Sequence, residues 1–413
     1  MSALITAQTV SAAIAIGLAA GCPNPNYRPD ALGTCSIDQH CSEPTPVCDP
    51  ITNTCVQCTP DQPSACSEAT PVCGETSTCR PCRADEECPS QVCQLSGRCL
   101  PEDQALYVSP VGAESDCTAS QPCTLQTALT QFTAKRFAIK LAPGTYRGAI
   151  IVGNNQRLEI HGDGADLTRG EPGPIVIVEV KGLAELTVLG LRIHHSLQHG
   201  ISCADDLGNQ PTMTLHRARI DSNPGLGISA LGCKLHVLRS QISMNPGGGI
   251  RTEHGTFAIV GNVFFANGAP LAGTGGLSAD YLSATSRLEF NTFHSNLASD
   301  GRGSAIDCSG GTFTAQNNIL SFNGLAGSAQ QVRGCTHEYS LVYPGPVLPG
   351  IGNSSTDPWF KAPDAQPPDL HLMAGSPARA AADLGADLTG PAALDIDGDE
   401  RTSPADIGAD EVP

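Results

Sequence analysis

His194 and Asp221 stand 27 residues apart, Arg217 and Arg239 stand 22 apart, and Arg219 falls between them. His195, His199 and His216 crowd the same stretch. An arginine base beside carboxylate-bound Ca²⁺, with further cations neutralising a uronate, is a workable set for eliminative cleavage of an acidic sugar chain. Hydrolysis would instead need two carboxylates about 5–10 Å apart. The residues that repeats of this length would align, Leu189, His216, Leu238, Val260, Glu289 and Gln316, supply no such pair. Arg, His and Asp on an outward face also serve as solvated groups or ion pairs of small worth. A second candidate is Asp395, Asp397 and Asp399, which offer oxygen ligands for Ca²⁺. Gly398 is fourth in that run, where an EF-hand loop needs glycine sixth, and no Glu stands at twelve. A solvated turn with Arg401 paired to a neighbouring Asp is the competing account.

Cysteine carries the next signal. The 413 residues hold 19, an odd number, and such usage belongs to an oxidising compartment. Twelve fall into three groups of four: Cys35, Cys41, Cys48, Cys55; then Cys58, Cys66, Cys73, Cys79; then Cys82, Cys88, Cys93, Cys99. Pro-Val-Cys recurs at Cys48 and Cys73, so residues 35–100 form a tandem repeat. Too few apolar residues lie between the cysteines to build a core, and disulfides must hold each unit. Zinc competes, because Cys55 with Cys58 and Cys79 with Cys82 have C-x2-C spacing. Both pairs straddle unit boundaries, and exported thiols oxidise.

Composition narrows the class further. Aromatics are 4%, charged residues 15%, and there are 44 glycines and 32 prolines. That excludes a coiled coil, a highly charged disordered chain and a multi-span membrane protein. The net charge of −18 repels phosphate backbones, so nucleic acid is not an expected partner. Trp359 is the only tryptophan, which leaves few aromatics for sugar stacking.

From residue 105 the pattern is one of short strands. Ala105 to Val108 reads as a strand, Thr124 to Phe132 as a short helix, and Phe137 to Leu141 as the next strand before the Pro143-Gly144 turn. Downstream, Ile193, Ile220, Ile242, Phe264, Phe293 and Leu320 form one column at intervals of 27, 22, 22, 29 and 27. Three residues later stand Ser196, Asn223, Asn245, Asn267, Asn296 and Asn323. Five before the anchor stand Val188, Leu215, Val237, Ile259, Leu288 and Ala315, and seven before it Leu186, Met213, Leu235 and Phe257. Alternation on one face fits strands, and no 3.6-residue period is present. Coils stacked at about 4.8 Å would lay like residues into ladders. Asn is expected to take left-handed backbone at one bend, and the glycines before Ile201, Ile228, Ile250 and Leu277 to mark another.

Over about residues 105–345 this pattern resembles the pectin-lyase-like right-handed parallel β-helix superfamily, and Leu106-Tyr107-Val108 through Gly144-Thr145-Tyr146 resembles its N-terminal cap and first coil. The resemblance implies an all-β solenoid and admits polysaccharide lyase or hydrolase activity. The Gly-His-Gly signature of galacturonases is absent from the sequence. The tail, residues 346–413, carries Gly375-Ser376-Pro377-Ala378, Asp395-Ile396-Asp397-Gly398-Asp399 and Asp406-Ile407-Gly408-Ala409-Asp410-Glu411. It is similar to the choice-of-anchor Q region of bacterial surface β-helix proteins, with Arg379-Ala380 replacing the usual Ile-Asp. The cysteine units are similar to short repeats of bacterial surface proteins and to the Dickkopf N-terminal module.

Residues 1–22 read as an export segment: Ala3 to Ala20 is uncharged, and Leu18-Ala19-Ala20-Gly21-Cys22 resembles a lipobox with Cys22 lipidated. The aliphatic residue stands four rather than three before Cys22, and no basic residue precedes Arg28. An uncleaved span is the alternative, since spanning takes about 20 residues. A linker follows, residues 23–34. Setting Cys22 aside from the 19 leaves an even 18. Cys117 and Cys123 form a local pair, and the coil spacing predicts that Cys203–Cys233 and Cys308–Cys335 bridge successive coils. The whole reads as an exported, lipid-anchored protein of the bacterial cell envelope, at the outer membrane or cell surface. Its expected role is structural, adhesive or polysaccharide-binding, with extracellular polysaccharide or another surface protein as partner. A polysaccharide lyase or glycoside hydrolase is the alternative. No cofactor other than Ca²⁺ is implied.

Overall fold

The computed structural model describes residues 34–412, apart from 63–64, 114–115, 154, 171–172, 174, 207, 282, 284, 300, 311–312 and 325–329. The apolar leader and Cys22 lie outside the described residues. Two compact units divide the chain, one running up to Cys99 and the other comprising Ser90–Val92 with Leu100–Pro413.

In the first unit every four-cysteine group closes on itself, first to third and second to fourth. The bonds are Cys35–Cys48 and Cys41–Cys55, Cys58–Cys73 and Cys66–Cys79, and Cys82–Cys93 and Cys88–Cys99. No bond crosses between groups, and the C-x2-C pairs are split between units. Short antiparallel pairs, Val47–Asp49 with Thr54–Val56 and Val72–Cys73 with Cys79–Arg80, set the frame. The buried apolar side chains here are mostly the cysteines themselves, so cross-links stand in for a core.

The second unit is a parallel β-solenoid. Three sheets of ten, nine and eight strands run its length, joined by one strand from each coil in turn. A representative coil contributes Thr212–His216, Arg219–Asp221 and Leu226–Leu231, and the next contributes Lys234–Leu238, Gln241–Ser243 and Gly248–Glu253. The anchor column is in register: Ile193 lies beside Ile220, then Ile242, Phe264, Phe293 and Leu320. All six are fully buried, and Phe264 stacks on Phe293 with centroids 4.5 Å apart. Leu186 and Val188 continue the same way through Met213 and Leu215, Leu235 and Val237, and Phe257 and Ile259. Leu125–Gln131 is a helix capped by the Thr124 hydroxyl, which accepts from Thr127 N–H at 3.1 Å.

The bends are built differently from the expectation in two respects. Left-handed backbone belongs to the residue before each ladder position: His195, before Ser196, and Ser222, Met244, Ala266, Ser295 and Phe322, before the asparagines, all have φ between 52° and 57°. The asparagine turns inward instead. The Nδ2 of Asn223 donates to Asn245 Oδ1, and so on through Asn267, Asn296 and Asn323 to Gln331, at 2.9–3.1 Å. The glycines before Ile201, Ile228 and Ile250 do not have left-handed backbone. They are required by close approach, because a Cβ at Gly200 would sit 2.7 Å from Asn223 Nδ2 and one at Gly227 2.9 Å from Asn245 Nδ2. A second, unanticipated ladder of Ser240, Asn262, Asn291 and Asn318 lines the bend between the first two sheets.

The tail lies along the flank of the solenoid. Phe360, Leu370, Leu372, Ala378, Ala405 and Ile407 pack on Leu238, Val260, Phe265, Phe290, Ile319 and Leu341, all outward-pointing residues of the coils. That burial explains why Leu238 and Val260, which point away from the solenoid core, are apolar. Gly408, with φ 99°, passes so close that a Cβ would meet Ile319 at 2.6 Å. The acidic motifs tie this segment together. Asp395 Oδ1 accepts from the N–H groups of Asp397, Gly398 and Asp399, and its Oδ2 from Glu411 N–H. Arg401 is buried rather than solvated; it pairs with Glu411 at 3.3 Å, donates to the Gly408 and Ala409 carbonyls, and lies over the Phe290 ring.

Candidate functional site

Where the tail crosses the solenoid, a cleft of about 330 Å³ remains open. Arg217, Arg219, Arg239 and Gln241 line one wall, and His371, Asp397 and Asp410 the other, with Val263, Phe265, Leu370 and Ile396 as its apolar lining. Successive coils put the arginines there. Arg217 and Arg239 hold the left-handed bend position, φ 51° and 49°, one coil apart, and Arg219 opens the strand that follows Arg217.

Few of their donors are spent. Arg217 uses one terminal nitrogen on Asp163 at 2.9 Å, while its buried Nε has no hydrogen-bond partner among the described residues. Arg239 donates its Nε to the Asp395 carbonyl at 2.5 Å. Burial lowers the Arg239 pKa, and the Arg217 charge adds to that. Burial first, then Arg239 and Arg217, pushes His216 down to about 3, so its ring is neutral.

Asp221 is in register with His194 and shares the outer face with Arg219, on either side of the inward Ile220, but arginine side chains cover it. It is fully buried, bonded to Arg192 Nε at 2.7 Å and NH2 at 2.8 Å, with Ser222 on its second oxygen and Arg219 3.1 Å away. Burial pushes its carboxyl up, but Arg192 and Arg219 outweigh that and hold it below the ordinary range. Both oxygens accept hydrogen bonds, and the carboxylate is shared between the two arginines. His194 sits against His195, and burial, then Arg192, lowers its pKa. His194 and Asp221 are not among the residues lining the cleft; Arg217 and Arg239 are.

Among the described residues, Asp395, Asp397 and Asp399 do not come together as one group of ligand atoms. Asp395 is turned inward as a backbone cap with no exposure, while Asp397 and Asp399 are exposed. Chain direction alone suggested a shared ligand set; the turn that Asp395 closes separates its oxygens from the other two. Asp397 instead meets His371, with Nε2 to Oδ2 at 2.8 Å, and His371 Nδ1 bonds Asp369. The sequence reading missed His371 and Asp410, which are 26 and 13 residues from Asp397; only the alternation Asp369–His371 hinted at a shared face.

Cys117–Cys123, Cys203–Cys233 and Cys308–Cys335 are joined, with Cα separations of 4.6, 5.9 and 5.4 Å. The last two staple neighbouring coils of the third sheet.

Residues 13–105 match a family of unknown function, DUF8331. No curated protein matches the chain. Among solved structures, the crystal structure of pectate lyase Pel9A is similar at 16% identity and a TM-score of 0.40, covering 75% of this chain and 96% of that one.

Proposed function

We propose that this protein is an exported, cell-surface β-solenoid that binds acidic polysaccharide in the arginine-walled cleft without cleaving it. The unspent guanidinium donors of Arg217 and Arg239 carry the reading. Arginine presents a planar fork that matches a carboxylate, and such charge-assisted bonds are the strong ones. A concave site with apolar lining and a few convergent polar groups suits part of a sugar chain. The nine disulfides among the described residues support life in an oxidising compartment. Lipidation at Cys22 would hold the protein to a bacterial membrane, and the cysteine units would serve as spacer or adhesive module.

Eliminative cleavage would need a base inside the cleft; Asp221 is outside its lining, and Arg239 gives its Nε to the Asp395 carbonyl. The test is retention of the full chain on an immobilised polyuronate, eluted by salt. Wild type should be held and released by salt; Arg217→Gln/Arg239→Gln, folded by circular dichroism, should lose at least tenfold in affinity. Equal retention of both proteins would remove the cleft from the account.

A further inference from the structure

The wall of the cleft opposite the arginines has a chemistry of its own. His371, Asp397 and Asp410 place one ligand atom each within 4.8 Å of one another. Asp369 accepts from His371 Nδ1 and so fixes the ring with Nε2 directed at Asp397. That is the arrangement in which a carboxylate orients a metal-binding histidine through its far nitrogen. Asp410 supplies an independent sign. It is 8% exposed, and one oxygen is held by Leu372 N–H at 2.7 Å. Its other oxygen has no hydrogen-bond partner among the described residues, and the residue forms part of the cleft wall. That oxygen is not sealed from the cleft that the residue lines, so a cation there could reach it.

We propose that His371, Asp397 and Asp410 form a binding site for a first-row divalent metal ion, zinc being the best match, with Asp369 as the positioning residue. One imidazole nitrogen and two carboxylates suit zinc or manganese, whereas Ca²⁺ prefers oxygen alone. Bringing the three atoms to about 2.0–2.2 Å from a common centre takes a movement of less than about 1 Å each. The exposed Asp397 side chain, which bonds His371, can supply most of it. Three protein ligands leave a position open toward the cleft, as zinc sites that accept an outside ligand do. The site does not depend on the saccharide reading, because metal is measured with no sugar present.

The experiment is calorimetric titration of the full, disulfide-intact chain with zinc chloride, and with calcium chloride as the comparison. Wild type should take up one equivalent of zinc at this site and show a rise in melting temperature with zinc. Asp397→Asn and His371→Gln should each weaken that binding by at least about tenfold to a hundredfold while their metal-free melting curves stay cooperative. Calcium should not displace the zinc. Absence of stoichiometric zinc binding, or zinc binding of unchanged affinity in both variants, overturns the assignment.

Discussion

At the scale of single residues, buried charge and buried histidine dominate the behaviour of the solenoid. Asp221 neutralises Arg192 and Arg219 from a fully buried position, so Asp221→Asn leaves two guanidiniums short of their counter-charge. A loss of about 3 kcal/mol is expected, toward the lower end for a broken buried pair because both arginines are part exposed. Urea unfolding checks it. His337 is the reverse case: it is 2% exposed, neither ring nitrogen has a hydrogen-bond partner among the described residues, and it continues the apolar column below Ala315. Burial pushes its pKa down to about 4. Because the folded value lies below the unfolded one near 6.5, the neutral ring contributes stability above pH 6.5 that is lost as pH falls toward 4. His216, at about 3, acts in the same direction. His371 acts oppositely: burial lowers it, but Asp369 and Asp397 prevail and raise it, so its stabilisation fades as pH rises above 6.5. Being part exposed, it counts for less. Replacing His337 by Leu should therefore raise the melting temperature at pH 7 and flatten its fall between pH 6.5 and 4. An unchanged acid slope would contradict the assignment to His337. In the sequence, spacing located the arginines of the cleft and the face of Asp221, but not its burial. The reason is that partners such as Arg192 lie 29 residues away, and no period announces them.

At the scale of elements, side-chain ladders and staples set the bends. Asn267 is completely buried; its Oδ1 accepts from Asn245 at 2.9 Å, and its Nδ2 donates to the Ile242 carbonyl at 2.8 Å and to Asn296 at 3.0 Å. Asn267→Ala strands these groups without water. At about 1–3 kcal/mol for each buried polar group left unpaired, the total cost is on the order of 3 kcal/mol or more. Asn267→Ala compared with an exposed control such as Gln330→Ala by thermal unfolding measures this. The ladder of Asn223 to Asn323 was readable because polar residues recurred at a fixed offset from an apolar anchor. The ladder of Asn262, Asn291 and Asn318 was not, since Ser240 and Ser340 occupy its ends and blur the repeat. The Cys203–Cys233 staple closes a loop of 30 residues, and opening it by Cys203→Ser/Cys233→Ser should cost about 3–4 kcal/mol.

At the scale of the whole molecule, two ways of holding a fold share one chain. The solenoid has a continuous core from Leu106 to Val342, and such repeat structures are stabilised coil by neighbouring coil. The cysteine units have almost no core beyond their bridges. Reduction should therefore unfold residues 35–99 while much of the solenoid persists, and limited proteolysis after reduction should cleave the array first. Simultaneous loss of both units would contradict that division. Architecture was legible at this scale because a 22-residue period and buried anchors leave few alternatives. The tail was harder: its charges look like a solvated or calcium-binding turn in sequence, yet Asp395, Arg401 and Glu411 form a buried knot that only the folded chain brings together. The cleft arises where that knot meets the coils, and its proposed role is to hold an acidic polysaccharide intact. The most direct measurement incubates the full chain with a panel of polyuronates, recording bound protein and new unsaturated sugar ends in the same samples. The account predicts salt-sensitive binding that weakens in Arg217→Gln/Arg239→Gln, with no growth of unsaturated ends. Steady accumulation of those ends that stops in the double variant, or no binding to any polyuronate, would contradict it.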